Sequence, residues 1–171
     1  MLPIEGVISS FFFKAMVAGW VAGGQKIKIT KMPGYKAIPF RDNGFNGLYL
    51  LDCWCVGRDS QKSAGTTTIW DKDIPVWLMN YAGHYEERAV PFVKRALQQA
   101  YEANRFIGGR GPYVHREGGL IYINQPHPGS SFLKFEGREE VFDIRVKDMP
   151  GHTGLIGQSL GWHEYWGMSL L

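Results

Sequence analysis

Two polar residues interrupt apolar strand faces and are the first candidates for chemistry. Asp52 lies in phase with Leu50 and Trp54 in an alternating run. Asn80 shares its strand face with small apolar residues. A carboxylate on an apolar face tends to have a raised pKa, which suits general acid–base catalysis. A buried amide without partners costs about 1–3 kcal/mol, so each side chain either points at a ligand or lies in a hydrogen-bond network that pins the strands.

Aromatic side chains are concentrated in a strand predicted at residues 75–83. Alternation places Trp77 and Tyr81 on one face of this strand. A turn at residues 71–73 joins the strand to the β-rich run before it, which ends at Trp70. We expect this hairpin to bring Thr67 near Trp77.

A second hairpin contributes two more candidates. The runs at residues 113–116 and 120–124 flank Gly118-Gly119, which is a good two-residue turn. This register places His115 opposite Tyr122 on one side of the hairpin. The other side is expected to face the core and carries Val114, Ile121 and Ile123.

Together these strands predict a binding surface on a common, partly open side of one curved sheet. Its aromatic groups would supply contact area, while Asn80 and His115 would orient a small-molecule or peptide ligand. A small enzyme with Asp52 or His115 as acid–base is one alternative, and it requires Asp52 and a histidine within hydrogen-bond reach. A homodimer formed through exposed aromatic groups is another. The predicted site residues are Trp70, Trp77, Asn80, Tyr81, His115 and Tyr122.

Several motifs resemble known catalytic patterns but lack the required context. The GQSLG run at residues 157–161 matches a nucleophile elbow, yet too little chain follows for the helix, acid and base. His163-Glu164 lacks the second histidine of a zinc protease. Cys53 and Cys55 have no second cysteine pair. The glycine-rich run at residues 108–111 reads as a flexible connection rather than a phosphate loop. We therefore predict no metal and no cofactor.

Composition and charge indicate one globular domain spanning residues 1–171. The chain is 44% apolar and 20% charged, which excludes disorder as the default. A net charge of +3 is too small to predict nucleic-acid binding. The segment from Lys26 to Arg41 carries five cations and no acid, and we interpret it as an exposed hairpin edge that opposes aggregation.

The N-terminal region does not resemble a targeting signal. Residues 15–24 are apolar and small, but no Lys or Arg precedes Lys14 to form a charged leader. No stretch of 18 uncharged apolar residues exists, so we expect no membrane span. A cytoplasmic protein with reduced cysteines is the prediction.

The elements that position these residues define an α+β fold. Helical spacing predicts one helix over about the first 18 residues and a second over residues 86–101. Strands are predicted at 35–41, 47–55, 64–70, 74–82, 132–135, 140–146 and 165–169, besides the second hairpin. This order predicts an antiparallel sheet with the N-terminal and central helices packed on one face.

Two segments resemble the core signature of a bacterial family of domains of unknown function. They are SAGTTTIW at residues 63–70 and PVWLMNYAG at 75–83. FFKA at 12–15, the glycines at 23–24 and GREE at 137–140 also resemble that family, so that the resemblance runs from about Phe11 to Val141. Ala82 stands where the family often has an aromatic residue, and Cys53-Trp54-Cys55 is not typical.

The resemblance implies a sensing role rather than a reaction. Members of the family stand alone or follow a helix-turn-helix DNA-binding module in transcription regulators. The resemblance therefore implies that this chain is the sensing or accessory half of such a system. It brings no known catalytic residues.

Overall fold

The computed structural model describes residues 4–145 and 157–171, which form two α-helices and nine strands. The helices are α1, Ile4–Met16, and α2, Val90–Glu102. A π-helical turn, Val17–Val21, extends α1, and a 3-10 turn, Glu87–Ala89, precedes α2. The strands are β1 Ile27–Lys28, β2 Tyr35–Arg41, β3 Leu48–Val56, β4 Lys62–Asp71, β5 Ile74–Tyr85, β6 Val114–Glu117, β7 Leu120–Pro126, β8 Lys134–Asp143 and β9 Gln158–Ser169.

All nine strands form one antiparallel sheet in the order β1-β2-β3-β4-β5-β9-β8-β7-β6. The first five strands are neighbours in chain order, and β9 returns to pair with both β5 and β8. The predicted α+β class is confirmed. The strands predicted separately at 132–135 and 140–146 are one continuous strand, β8, and Val146 lies outside the described residues.

Both helices pack on one face of the sheet, as predicted. Phe12 of α1 lies 5.0 Å from Trp77 of β5 between ring centroids and 6.0 Å from Tyr101 of α2. Burying a large apolar side chain of this kind contributes about 1.5–3 kcal/mol. Pro91 is tolerated because it lies in the first turn of α2, where its missing N–H has no helical acceptor. Within the described residues, neither helix has the length and apolarity needed to cross a membrane.

The hairpin of β4 and β5 forms at the predicted turn, but its predicted register is wrong by two residues. Thr67 pairs with Met79 rather than Trp77. The turn contains only two residues, because Asp71 pairs directly with Ile74. Lys72 adopts a left-handed φ of 55°, and a bulge at Ile69/Trp70 then shifts the pairing further. Since the total shift is even, every side chain keeps its predicted face.

The second hairpin has the predicted register but the opposite orientation. His115 pairs with Tyr122 across the Gly118-Gly119 turn. Tyr122 is fully buried, however, whereas Val114 is 50% exposed. The hydroxyl of Tyr122 donates to the buried carboxylate of Glu139, and a phenol with a hydrogen-bond partner is a favourable core residue. The predicted core face of β6 is therefore its solvent face.

Candidate functional site

A cleft of about 450 Å³ lies between α2 and the sheet, and we call it the α2 cleft. Its walls are largely apolar, and its floor is formed by polar side chains from β4, β5, β9 and the segment after α2. The walls contain Trp20, Trp54, Val90, Val93 and Leu97; the floor contains Ser63, Tyr81, Tyr85, Arg110 and His163; Lys26, Glu87 and Lys94 also line the cleft.

Two indoles form the aromatic wall of the cleft. Trp20 comes from the π-helical turn after α1, and its ring centroid lies 5.3 Å from that of Trp54 on β3. The π-helical turn widens the backbone where the chain leaves α1, and such turns are frequent at functional sites. The Nζ atom of Lys94 on α2 lies 5.9 Å from the centre of the Trp20 ring, which is within cation–π range.

Asp52 anchors this wall from beneath. The carboxylate is buried and accepts hydrogen bonds from Trp20 Nε1 at 2.8 Å, Thr67 Oγ1 at 2.7 Å and Tyr81 Oη at 3.1 Å. Burial raises the pKa of Asp52, although these three donors oppose the rise. The internal network that the sequence left open for Asp52 is therefore present, and it joins the Trp20 turn to β3, β4 and β5.

Arg110 supplies the cationic group of the floor. It belongs to the glycine-rich segment 108–111, which is buried rather than an exposed flexible connection. A Cβ atom at Gly109 would overlap the Tyr165 hydroxyl, and one at Gly111 would overlap that of Tyr122. Glycine at these two positions thus lets the segment pass close to the sheet. The guanidinium lies 4.8 Å from the Tyr81 ring centre.

A second buried carboxylate, Glu139 of β8, balances this guanidinium. Arg110 Nη2 lies 3.0 Å from Glu139 Oε1. Tyr85 Oη donates to the same carboxylate at 3.1 Å and Tyr122 Oη at 2.6 Å. Burial raises the pKa of both phenols well above the ordinary value, so they remain protonated donors. Burial alone would lower the pKa of Arg110, but the Glu139 carboxylate, together with Tyr101, Tyr85 and Tyr81, raises it.

The hydrogen bonds of His163 define its tautomer. Its Nδ1 lies 3.3 Å from Arg110 Nη1, a group that can only donate. Nδ1 therefore carries the lone pair. Burial and then the Arg110 charge lower the pKa of His163 to about 2, so the ring is neutral and its proton is on Nε2. Nε2 lies 3.1 Å from Ser63 Oγ, to which it donates.

This tautomer sets the floor apart from a serine hydrolase triad, although Ser63, His163 and Glu139 have the residue types of one. A triad needs Nδ1–H bonded to the carboxylate and a free Nε2 lone pair facing the serine. Here the Nδ1 atom is 3.9 Å from Glu139 Oε1, too far for a hydrogen bond. Because Nε2 donates to Ser63, it cannot take a proton from that hydroxyl.

Unused hydrogen-bond donors remain in the floor after these bonds are counted. Arg110 Nε is buried and hydrogen-bonds to no other described residue. Ser63 accepts from His163, so its own hydroxyl hydrogen stays free to turn toward the cleft. An unsatisfied buried donor costs about 1–3 kcal/mol. At Arg110 Nε, the floor therefore has a hydrogen-bond donor that no described residue accepts from.

The predicted site residues do not converge on one cavity. Trp77 and Tyr122 are fully buried, and Trp77 Nε1 donates to the carbonyl of Phe132 at 2.9 Å. The prediction that Trp77 and Tyr122 lie on a partly open side of the sheet is wrong, because α1 and α2 cover the face that carries them. Of the six, only Tyr81 lines the α2 cleft.

The other three candidates lie in separate places. Trp70 pairs with Tyr49, and their ring centroids are 5.5 Å apart. Asn80 accepts from Thr66 Oγ1 at 2.7 Å on the face opposite the helices. His115 packs on Phe92 of α2 at 5.2 Å between ring centroids and lies 3.1 Å from Gln99 Oε1. The pairing of Asp52 with a histidine that the enzyme alternative requires is not formed, since none of the described histidines bonds to Asp52.

A wider groove of about 850 Å³ occupies the face of the sheet opposite the helices. Asn80, Arg138 and Trp166 are among its lining residues. Arg138 forms ion pairs with Glu140 at 3.3 Å and Glu164 at 3.4 Å, so its charge is already compensated. This groove is more open to solvent, and no buried unpaired donor of the described residues lies in it. The α2 cleft is the stronger candidate site.

The serine and cysteine motifs of the sequence can be located in the structure. Ser159 is at the start of β9 and donates to Glu140 Oε1 at 2.6 Å, away from any strand-to-helix turn. Cys53 and Cys55 are free thiols. Within residues 4–145 and 157–171, no cluster of three or more potential metal ligands is found.

Sequence reasoning missed Arg110 and His163 of the floor and the buried Glu139 that pairs with Arg110. Glu139 and His163 carried the same signal that identified Asp52. Glu139 alternates in phase with Phe135 and Val141, and both of these are buried. The signal for Arg110 was weaker: it is a single charge among glycines.

The fold and cleft define a class: an α+β domain in which two helices cover one face of a nine-stranded antiparallel sheet and a central helix closes a polar-floored cleft. The chain belongs to the family described as a domain of unknown function (DUF5680), whose model matches residues 56–156, more than half of the chain. The match includes the SAGTTTIW and PVWLMNYAG segments. Comparison with curated proteins and with solved structures found no match.

Proposed function

We propose that this domain is a binding module that takes up a small, largely apolar molecule in the α2 cleft. The main support for this proposal is the contrast between the apolar walls of the cleft and its polar floor. Trp20, Trp54 and Leu97 offer apolar contact area, while Arg110 and Ser63 offer a few convergent polar groups. Small-molecule sites combine these two features and have volumes of roughly 300–1,000 Å³.

The arrangement of the floor favours binding over catalysis. Asp52 is occupied by three donors, and His163 holds its proton against Ser63. Asp52 does not line the cleft, and the Nδ1 lone pair of His163 faces Arg110, so neither group offers the accessible acceptor position that general base catalysis requires. The floor is therefore preorganised to hold a ligand, which agrees with the sensing role that the resemblance implies. We also propose that the domain acts in the cytoplasm and passes the binding signal to a regulatory partner.

Binding can be tested with N-phenyl-1-naphthylamine, a neutral probe whose fluorescence rises in apolar surroundings. We expect saturable binding of one probe molecule per chain. Val90→Trp narrows the cleft from α2 at a residue that is 39% exposed, so the fold should tolerate it. This substitution should weaken probe binding at least ~10-fold, a free-energy change of about 1.4 kcal/mol.

The matched control is Arg95→Trp, which adds an indole to an exposed position of α2 outside the cleft. It should leave probe affinity unchanged. Equal binding in both variants, or no saturable binding by the wild-type protein, contradicts the proposed function.

A second candidate is self-association through the helix-free face. On this face Trp166 is 51% exposed and Met168 is 40% exposed. Exposed aromatic groups in a shallow groove are typical of protein interfaces. Sedimentation equilibrium should then show a dimer that Trp166→Glu dissociates. A monomer at high concentration contradicts this candidate and leaves the α2 cleft unaffected.

A further inference from the structure

We propose that the ligand of the α2 cleft ends in an acceptor oxygen, a carbonyl or a carboxylate, which receives hydrogen bonds from Ser63 and Arg110. This inference rests on the proposed function and specifies the ligand class. It follows from the direction of each hydrogen bond in the floor. These directions can be assigned starting from Arg110, because its guanidinium is always protonated.

The guanidinium of Arg110 has five N–H donors and no acceptor. Nη2 faces Glu139, and Nη1 faces His163. Nε remains without a partner among the described residues, although its side chain is only 10% exposed. A ligand oxygen at the floor would satisfy this donor and remove its desolvation cost.

Ser63 supplies the second donor, because the hydrogen bonds of Arg110 and His163 fix the direction of its own. Because Arg110 donates to Nδ1, the His163 proton is on Nε2, and because Nε2 donates to Ser63, the serine oxygen acts as an acceptor. The remaining hydroxyl hydrogen can only be given away. Ser63 shares the core-facing side of β4 with Gly65 and Thr67, and it lines the cleft.

The neighbouring charges exclude a cationic ligand end. Arg110 stands in the floor, and Lys26 and Lys94 line the cleft, against the single carboxylate of Glu87. An ammonium group in the floor would approach the guanidinium of Arg110 and would be repelled by its charge. The oxygen end can be neutral or anionic, because Glu139 already compensates Arg110.

Three naphthalenes of similar size test this inference by displacement of N-phenyl-1-naphthylamine. They are 2-acetylnaphthalene with a neutral carbonyl, 2-naphthoate with a carboxylate, and 2-naphthylmethylammonium with donors alone. We expect at least one of the two oxygen compounds to bind ~10-fold or more tightly than the ammonium compound, since two hydrogen bonds distinguish them. The ketone and carboxylate arms separate a neutral from an anionic ligand.

Substitution of Ser63 supplies the matched control. Ser63→Ala should weaken the preferred oxygen compound about 3- to 10-fold and leave the ammonium compound unchanged, whereas Ser63→Thr keeps the hydroxyl and should retain the preference. Equal displacement by all three compounds overturns this inference, while the probe binding itself still supports the proposed function. If the probe does not bind the wild-type protein, both proposals fall.

Discussion

Arg110 Nη1 lies 3.3 Å from Nδ1 of His163, and these two residues come from distant parts of the chain, 53 positions apart. The contact brings the segment after α2 onto β9 beneath the cleft. It places a group that can only donate against a ring that can donate or accept, so the histidine is forced into one tautomer.

The first prediction concerns this tautomer. Long-range ¹H–¹⁵N correlation spectra should show His163 as the neutral Nε2–H form at pH 7 and still neutral at pH 5. In Arg110→Met the donor to Nδ1 is lost, and the spectrum should show a mixture of tautomers. A protonated imidazolium, or an Nδ1–H form in the wild-type protein, would contradict the donor assignment of the floor.

A pH dependence of stability follows from the same ring. Burial lowers the pKa of His163 from 6.5 to about 2, so the unfolded chain binds a proton below pH 6.5 that the folded chain excludes. The contribution of the neutral ring is therefore fully present above pH 6.5 and is lost as the pH falls, by about 1.4 kcal/mol per unit. The raised pKa of Asp52 acts in the opposite sense.

Urea unfolding at pH 6.5 and pH 5 can isolate the histidine from the other groups. His163→Gln keeps a polar side chain but cannot titrate. The wild-type protein should lose about 2 kcal/mol more than the variant across this interval. Parallel profiles for the two proteins would show that His163 titrates normally in the fold.

The ion pair of Arg110 and Glu139 provides a third prediction. Glu139 is fully buried, so Arg110→Met leaves an uncompensated charge and should cost about 3–5 kcal/mol of unfolding free energy. Glu139→Gln in the Arg110→Met background removes that charge and should restore part of the loss. Chemical denaturation measures both values. If the double variant is as unstable as the sum of the single ones, the two residues are not coupled in this way.

Gly65 packs against Tyr81 of the cleft floor, so a larger residue at this position should destabilise the fold. A Cβ atom at this position would overlap the phenol of Tyr81. Gly65→Ala should therefore destabilise the fold by about 1–3 kcal/mol. In the Tyr81→Leu background, which removes the phenol hydroxyl and ring, the same substitution should cost less. An equal cost in both backgrounds would place the effect in the backbone instead.

Strand alternation accounts for most of the fold that the sequence could predict. It located β2 at its observed bounds and put Tyr81 of β5 on the same face as Trp77. It did not determine which face the helices cover. Two faces that both carry aromatic residues look alike in sequence, so Trp77 and Tyr122 were expected to be open and are sealed.

The site was less predictable because it depends on contacts between distant segments. Asp52 could be recognised from its phase within one strand. The guanidinium of Arg110 enters the interior only because Gly109 and Gly111 leave room for phenol hydroxyls of other strands. No local pattern expresses that condition. The tautomer of His163 is even harder to predict from the sequence, since it depends on where Arg110, 53 positions away, is placed by the fold.

The Nε–H resonance of Arg110 can show whether the cleft floor donates a hydrogen bond to a ligand oxygen. In a ¹H–¹⁵N spectrum this signal, assigned by its loss in Arg110→Lys, should move downfield when the preferred oxygen-ended naphthalene is added. Unsubstituted naphthalene, which has the same apolar body and no acceptor, should leave it in place. If the signal does not respond to the oxygen compound while that compound displaces the fluorescent probe, Arg110 does not donate to the ligand oxygen.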